Sequence, residues 1–196
     1  MIGNYIQHKI YHKEGKTYAF SEMTQERVKE IIARYPRGKQ KSALLPLLHI
    51  AQEEFGGSLN ADIMDYVAEI LDIQPIEVYE VATFYSQYYM DKVGKFVIEV
   101  CQTGPCLACG ADDMIDYLKE KLNIKVGETT TDGLFSLKAV ECLGACGYAP
   151  VMQVNTKFHE QLTKESIDRI IDTLKEHANE PQNNDDKWVE KFCLRK

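Results

Sequence analysis

The sequence predicts an α+β fold in two parts, a small helical bundle followed by an α/β domain. Three observations carry this. Apolar residues between positions 24 and 90 recur with helical spacing, interrupted by proline and glycine. From position 95 onward, short β-rich runs alternate with helical patterns. Four cysteines stand in two short glycine-containing loops directly after two of those predicted strands.

Residues 1–20 form an N-terminal arm without a regular pattern, in which Tyr18 and Phe20, with Met23 after it, are expected to pack onto the next segment. Residues 21–92 read as the bundle. Thr24 is the expected N-cap of a first helix whose Val28, Ile31, Ile32 and Tyr35 share one face. Pro36 and Gly38 end it. A second helix covers 43–55, with Pro46 tolerable only in its first turn or at a kink. Asn60 caps a third, carrying Ile63, Val67, Ile70 and Leu71. Pro75 opens a fourth at its first position. His49 falls among apolar residues and reads as a satisfied core or surface histidine rather than a ligand. The aromatic run Phe84-Tyr85-Ser86-Gln87-Tyr88-Tyr89 reads as packing between domains, with a partner surface as the alternative.

Residues 93–177 are expected to run strand 96–100, cysteine loop, helix 111–122, strand 135–140, second cysteine loop, a hairpin of 151–154 and 158–161, and helix 164–176 capped by Thr163. A βαβ unit followed by ββα is the thioredoxin-like order, and its first two strands should be parallel. Residues 178–196 read as a polar linker and a tail. In the tail, Trp188 and Phe192 at i, i+4 suit a short docking helix, with a frayed tail as the equal alternative, and Cys193 stands isolated.

Composition narrows the function. The 196 residues carry a formal net charge of −7 with both signs interspersed, which does not suit a nucleic-acid partner. No apolar run reaches membrane-spanning length. The N-terminus lacks the pattern of a secretory signal, and residues 1–20 hold no arginine, unlike a transit peptide. There is no phosphate-cradling glycine motif. Six cysteines in a reducing compartment point to metal or redox chemistry.

The candidate site is Cys101, Cys106, Cys142 and Cys146, spaced Cys-x4-Cys, 35 residues, Cys-x3-Cys. Thiolates select zinc, copper(I) or iron–sulfur clusters. Four are the usual complement of a [2Fe–2S] cluster, two per iron, and the spacing does not exclude structural zinc. Gly104, Pro105 and Gly144 lie inside the loops, where backbone amides can turn toward sulfur. A different class of reading uses Cys106-Leu-Ala-Cys109 as the Cys-x-x-Cys of a dithiol oxidoreductase, with Cys109 at the start of the following helix. Neither loop contains lysine or arginine, and Glu141 adjoins Cys142. A cluster held there should therefore have a low potential, near the roughly −400 mV of four-thiolate plant-type centres.

Tyr35-Pro36, the stretch from Ala43 to Leu48, Ala51-Gln52, Val81-Ala82-Thr83-Phe84-Tyr85-Ser86-Gln87 and the four-cysteine pattern together resemble one family. It is the thioredoxin-like [2Fe–2S] subunit of NADH:quinone oxidoreductase, respiratory complex I. The chain is also similar to diaphorase subunits of NAD-linked hydrogenases and formate dehydrogenases. The resemblance spans about residues 24–175 and implies a thioredoxin-like [2Fe–2S] ferredoxin domain with Cys101, Cys106, Cys142 and Cys146 as cluster ligands. It implies an electron carrier with no catalytic site of its own, working beside an FMN- and NAD-binding subunit and further iron–sulfur subunits. The expected setting is the bacterial cytoplasm, peripheral to the inner membrane, without nucleic acid and without direct membrane insertion. Cys109 is not a ligand in that family.

Overall fold

The computed structural model describes residue 13 and residues 15–178. These fall into two compact units, the first ending at Lys92 and the second beginning at Val93.

The first unit is four helices: α1 (Glu22–Ile32), α2 (Leu44–Glu54, entered through a 3-10 turn at Gln40–Ala43), α3 (Ala61–Leu71) and α4 (Pro75–Phe84). Ser21, not Thr24, caps α1. Ser21 is the last extended residue before the helix, and its hydroxyl accepts from the Thr24 amide. Tyr35 lies beyond the end of α1, in the turn after it, yet still packs on the core. Pro46 sits in the first turn of α2, where its missing N–H has no helical partner to lose. Asn60 caps α3 by accepting from the Ile63 amide at 2.9 Å. Pro75 opens α4, where Gln74 and Glu77 form a reciprocal capping box. The apolar faces meet in one core built on Ile31, Leu47, Leu48, Ile63, Met64, Val67 and Val78.

Tyr18 and Phe20 close this core against Phe55 and Tyr66. Met23 does not join them and is 77% exposed, because it lies off the buried stripe of Thr24, Val28 and Ile31. The aromatic run divides. Tyr88 is buried and donates to the Leu45 carbonyl, whereas Phe84 is 79% exposed with Tyr85 edge-on to it.

The second unit is a four-stranded sheet with helices. The order along the chain is β1 (Phe96–Cys101), α5 (Gly104–Ala108), α6 (Ala111–Leu122), β2 (Phe135–Val140), β3 (Met152–Val154), β4 (Lys157–His159) and α7 (Lys164–Glu176). The strands lie β2-β1-β3-β4, with β1 and β2 parallel and the other pairs antiparallel. One sheet face carries Ile98, Val100, Leu137 and Met152 and packs with Leu118 of α6 and Ile167 and Ile171 of α7. On the other face Glu99 is buried, in register with Lys138 of β2 and Gln153 of β3. Gly94 fixes the entry to β1. Its amide donates to Ser136 Oγ at 2.7 Å, and a Cβ there would stand 2.9 Å from the Phe135 backbone. The hairpin is shorter than its sequence pattern, with β4 ending at His159. The first cysteine loop contains a helix, α5, where the sequence pattern predicts only a turn. Trp188, Phe192 and Cys193 lie outside the described residues.

His49 is a core histidine, 3.2 Å from Gln87 Nε2 and against the Tyr88 ring. Burial lowers its pKa to about 4 from an ordinary 6.5. A depressed histidine resists protonation in the folded state, so its contribution is complete above pH 6.5 and is lost as the pH falls toward 4. The helical unit should lose up to about 3 kcal/mol over that window. Urea titrations between pH 7 and 4 should show the loss, and His49→Gln should flatten it.

Candidate metal centre

The parallel pairing of β1 and β2 builds the site. The register sets Cys101, the last residue of β1, beside Val140, the last of β2, with Cys142 two residues further on. The Gln102 amide donates to the Val140 carbonyl at 2.9 Å, and the Cys101 amide donates to the Val151 carbonyl at 3.1 Å. The two cysteine loops therefore leave the same end of the sheet, past the last residues of β1 and β2.

In the first loop, Thr103 is extended and Gly104-Pro105 begins α5, with proline in the first turn, where it is tolerated. Cys106 thus stands on a short helix rather than in the Gly-Pro turn expected from sequence. It is buried with Cys101, Ala111 and Val151. Cys109 follows as the C-terminal cap of α5 and is exposed. It does not begin α6, because Gly110, at φ +89°, intervenes. In the second loop, Gly144 at φ +81° turns its amide onto Cys142 Sγ at 3.4 Å. Cys146 starts a 3-10 turn and brings its sulfur to 3.6 Å from Cys142 Sγ. Both are exposed.

The thiols interact two by two and across the pairs. Burial raises the Cys101 pKa, but hydrogen bonds from the Thr103 hydroxyl (3.3 Å), the Thr103 and Leu143 amides and the Cys106 thiol outweigh it, so the thiol ends below its usual range. Cys106 is pushed up by burial and by its hydrogen bond to Cys101, against a hydrogen bond from the Val151 amide, with the charges of Cys101 and Cys146 adding. Cys146 is pushed up by its hydrogen bond to Cys142 and by the charges of Cys142 and Cys101. In the first pair the shifts run apart, Cys101 down and Cys106 up, as expected of neighbouring thiolates that lack a cation. Neither loop brings a lysine or arginine to supply one. Glu141 is exposed, so its charge is screened and its influence on the site is smaller than its sequence position suggests. Among the described residues, no three His, Cys, Asp or Glu side chains are grouped as a single-ion site.

This donor set fits an iron–sulfur group. It offers four soft ligands as two pairs, glycine-turned amides aimed at sulfur, and an apolar lining of Leu143, Ala145, Ala149 and Val151. The Cys106/Cys109 dithiol reading fits less well. An attacking thiol needs access, yet Cys106 is 2% exposed.

The chain belongs to the thioredoxin-like [2Fe–2S] ferredoxin family, whose family model matches residues 28–175. Its relatives narrow the class. An NADH-quinone oxidoreductase subunit of Rickettsia felis is 42% identical over 166 residues, which cover 85% of this chain and 98% of that protein. The corresponding protein of Rickettsia bellii is 44% identical over 158 residues, covering 81% and 95%. NADH dehydrogenase [ubiquinone] flavoprotein 2, mitochondrial, of Dictyostelium discoideum is 42% identical, covering 83% of this chain and 66% of that one. Among solved structures, the NAD+-reducing [NiFe]-hydrogenase in its air-oxidised state aligns over 76% of this chain with a TM-score of 0.60 and 21% identity. The alignment spans 25% of that hydrogenase chain, and the likeness is one of fold. No helix among the described residues is long and apolar enough to cross a membrane.

Burial orders the thiols by access. In the metal-free chain, iodoacetamide should label Cys109, Cys142 and Cys146 before Cys101 and Cys106. Timed mass spectrometry of the peptides checks the order; early labelling of Cys106 would contradict its place on α5.

Proposed function

We propose that the chain is the electron-transfer subunit of an NADH-quinone oxidoreductase, carrying one [2Fe–2S] cluster beside the subunit that binds FMN and NAD. The convergence of two cysteine pairs at one end of the sheet supports this reading, together with relatives of about 42% identity along most of the chain. Cys101 and Cys106 would hold one iron, and Cys142 and Cys146 the other. The cluster supplies one-electron storage.

The protein's own residues do the rest. The strands β1 and β2 fix the separation of the loops. The Thr103 hydroxyl and the amides of Thr103, Leu143, Gly144 and Val151 meet sulfur charge with hydrogen-bond donors. Leu143, Ala145 and Ala149 exclude water from one side of the site. Without a cationic side chain in either loop, reduction is met by dipoles alone, which keeps the potential low. Further iron–sulfur subunits complete the assembly, peripheral to the inner membrane on the cytoplasmic side of a bacterium.

The experiment uses the reconstituted chain. It should contain two irons per chain, absorb visible light, and show a paramagnetic signal after reduction. It should not oxidise NADH alone, and its cluster should become reduced by NADH when the FMN- and NAD-binding subunit is added. NADH oxidation by the isolated chain at an enzymatic rate of about 1–1000 per second would overturn the carrier role.

The ligand set has its own test. Cys109→Ser should keep the visible spectrum and the signal of the reduced state, because Cys109 is exposed past the end of α5. Cys106→Ser should lose the cluster or shift both spectra. The reverse result would assign Cys109 in place of Cys106.

A further inference from the structure

Cys142 and Cys146 are open to chemistry that Cys101 and Cys106 are not. Their sulfurs stand 3.6 Å apart, and both side chains are exposed. A disulfide needs about 2.05 Å, a distance that side-chain rotation and a small contraction of the loop supply. The loop allows this. No helix or strand spans residues 142–145, and the 3-10 turn begins only at Cys146. Gly144 lies between the two cysteines at φ +81°, and Gly147 follows the second. Beyond their chain neighbours, neither glycine has an atom within 4 Å of where a Cβ would stand, so the backbone on either side of Cys146 has room to move. Access separates this pair from the other thiols. Cys101 and Cys106 are buried with Ala111 and Val151, out of reach of an oxidant in water. Cys109 is exposed, but Cys106, three residues before it, is enclosed.

We propose that in the metal-free chain Cys142 and Cys146 close into a reversible disulfide that locks the site against loading. The locking role rests on the cluster assignment made above; the disulfide itself does not. The oxidant is a peroxide. One sulfur attacks it as the O–O bond breaks, giving a sulfenic acid and water. The second sulfur then attacks the first. The S–S bond forms, the S–O bond breaks, and the departing hydroxide takes the second thiol's proton to become water. Two thiols and one hydrogen peroxide thus become one disulfide and two waters, with two electrons passing from sulfur to oxygen. A dithiol reductant reverses the step by exchange and is itself left as a disulfide. While the bond is closed, two of the four thiolates are withdrawn, and the remaining two cannot complete a two-iron group. The closed bond also keeps both exposed sulfurs from the irreversible sulfinic stage. The inner pair and the strands β1 and β2 are untouched by closure, so reduction returns the site to its loading geometry.

The test uses the full chain, freed of metal under reducing conditions, given one equivalent of hydrogen peroxide without air, and alkylated in denaturant. Peptide mass spectrometry should show two alkylation sites lost, both in the tryptic peptide 139–157, which should be two hydrogens lighter than its reduced form. Cys109→Ser should give the same product. Cys146→Ser should leave Cys142 as a sulfenic acid that dimedone traps. Supplied with iron(II) and sulfide, the oxidised chain should gain no visible absorption until dithiothreitol is added, whereas the reduced chain should gain it directly. A first disulfide that engages Cys101, Cys106 or Cys109, a disulfide-linked dimer, or Cys142 oxidised past the sulfenic stage without a bond to Cys146 would each overturn the disulfide. Equal loading of the oxidised and reduced chains would overturn the lock. A reduced chain that takes up no iron would count against the cluster assignment instead, and the peptide map would still decide the disulfide.

Discussion

The parallel pairing of β1 with β2 is the constraint on which the site depends. Each loop holds a cysteine pair, and a pair alone offers half of what a two-iron group needs. The register that sets Cys101 against Val140 brings the pairs to one end of the sheet. The sheet core enforces that register. A shift by one residue would carry Ile98 and Val100 to the face now occupied by Glu99 and expose apolar surface. Gly94 adds a steric stop at the start of β1, where backbone meets backbone too closely for any side chain.

The loops then divide the work of holding sulfur. The first uses a short helix, which can keep Cys106 inside because proline at its start and a glycine just past its end bound it tightly. The second uses turns, and its glycine adopts a positive φ to aim one amide at Cys142. Neither loop neutralises thiolate charge with a cation. The site is consequently one that dipoles stabilise partially, which suits an electron carrier required to give its electron onward.

Much of this was legible from the residues. Proline and asparagine at helix starts marked α3 and α4, because their backbone preferences are local. The strands β1 and β2 were legible because branched and aromatic residues ran straight into the cysteines. Three features were not. The cap of α1 moved to Ser21 because two hydroxyl residues compete there, and the choice rests on where Phe20 must pack. The helix α5 was hidden because Gly104-Pro105 signals a turn equally well, and only burial of Cys106 against Val151 separates the two. The exposure of Glu141 could not be read from its neighbours.

The unequal burial of the two cysteine pairs has a consequence for where charge resides. Cys101 and Cys106 are enclosed, whereas Cys142 and Cys146 face water. A two-iron group held by these four thiolates would meet an apolar lining at the first pair and water at the second. Added negative charge is less costly on the solvated side. Cys142 and Cys146 would therefore be the ligands whose surroundings best tolerate the extra electron, and Cys101 and Cys106 those that shield the group from water.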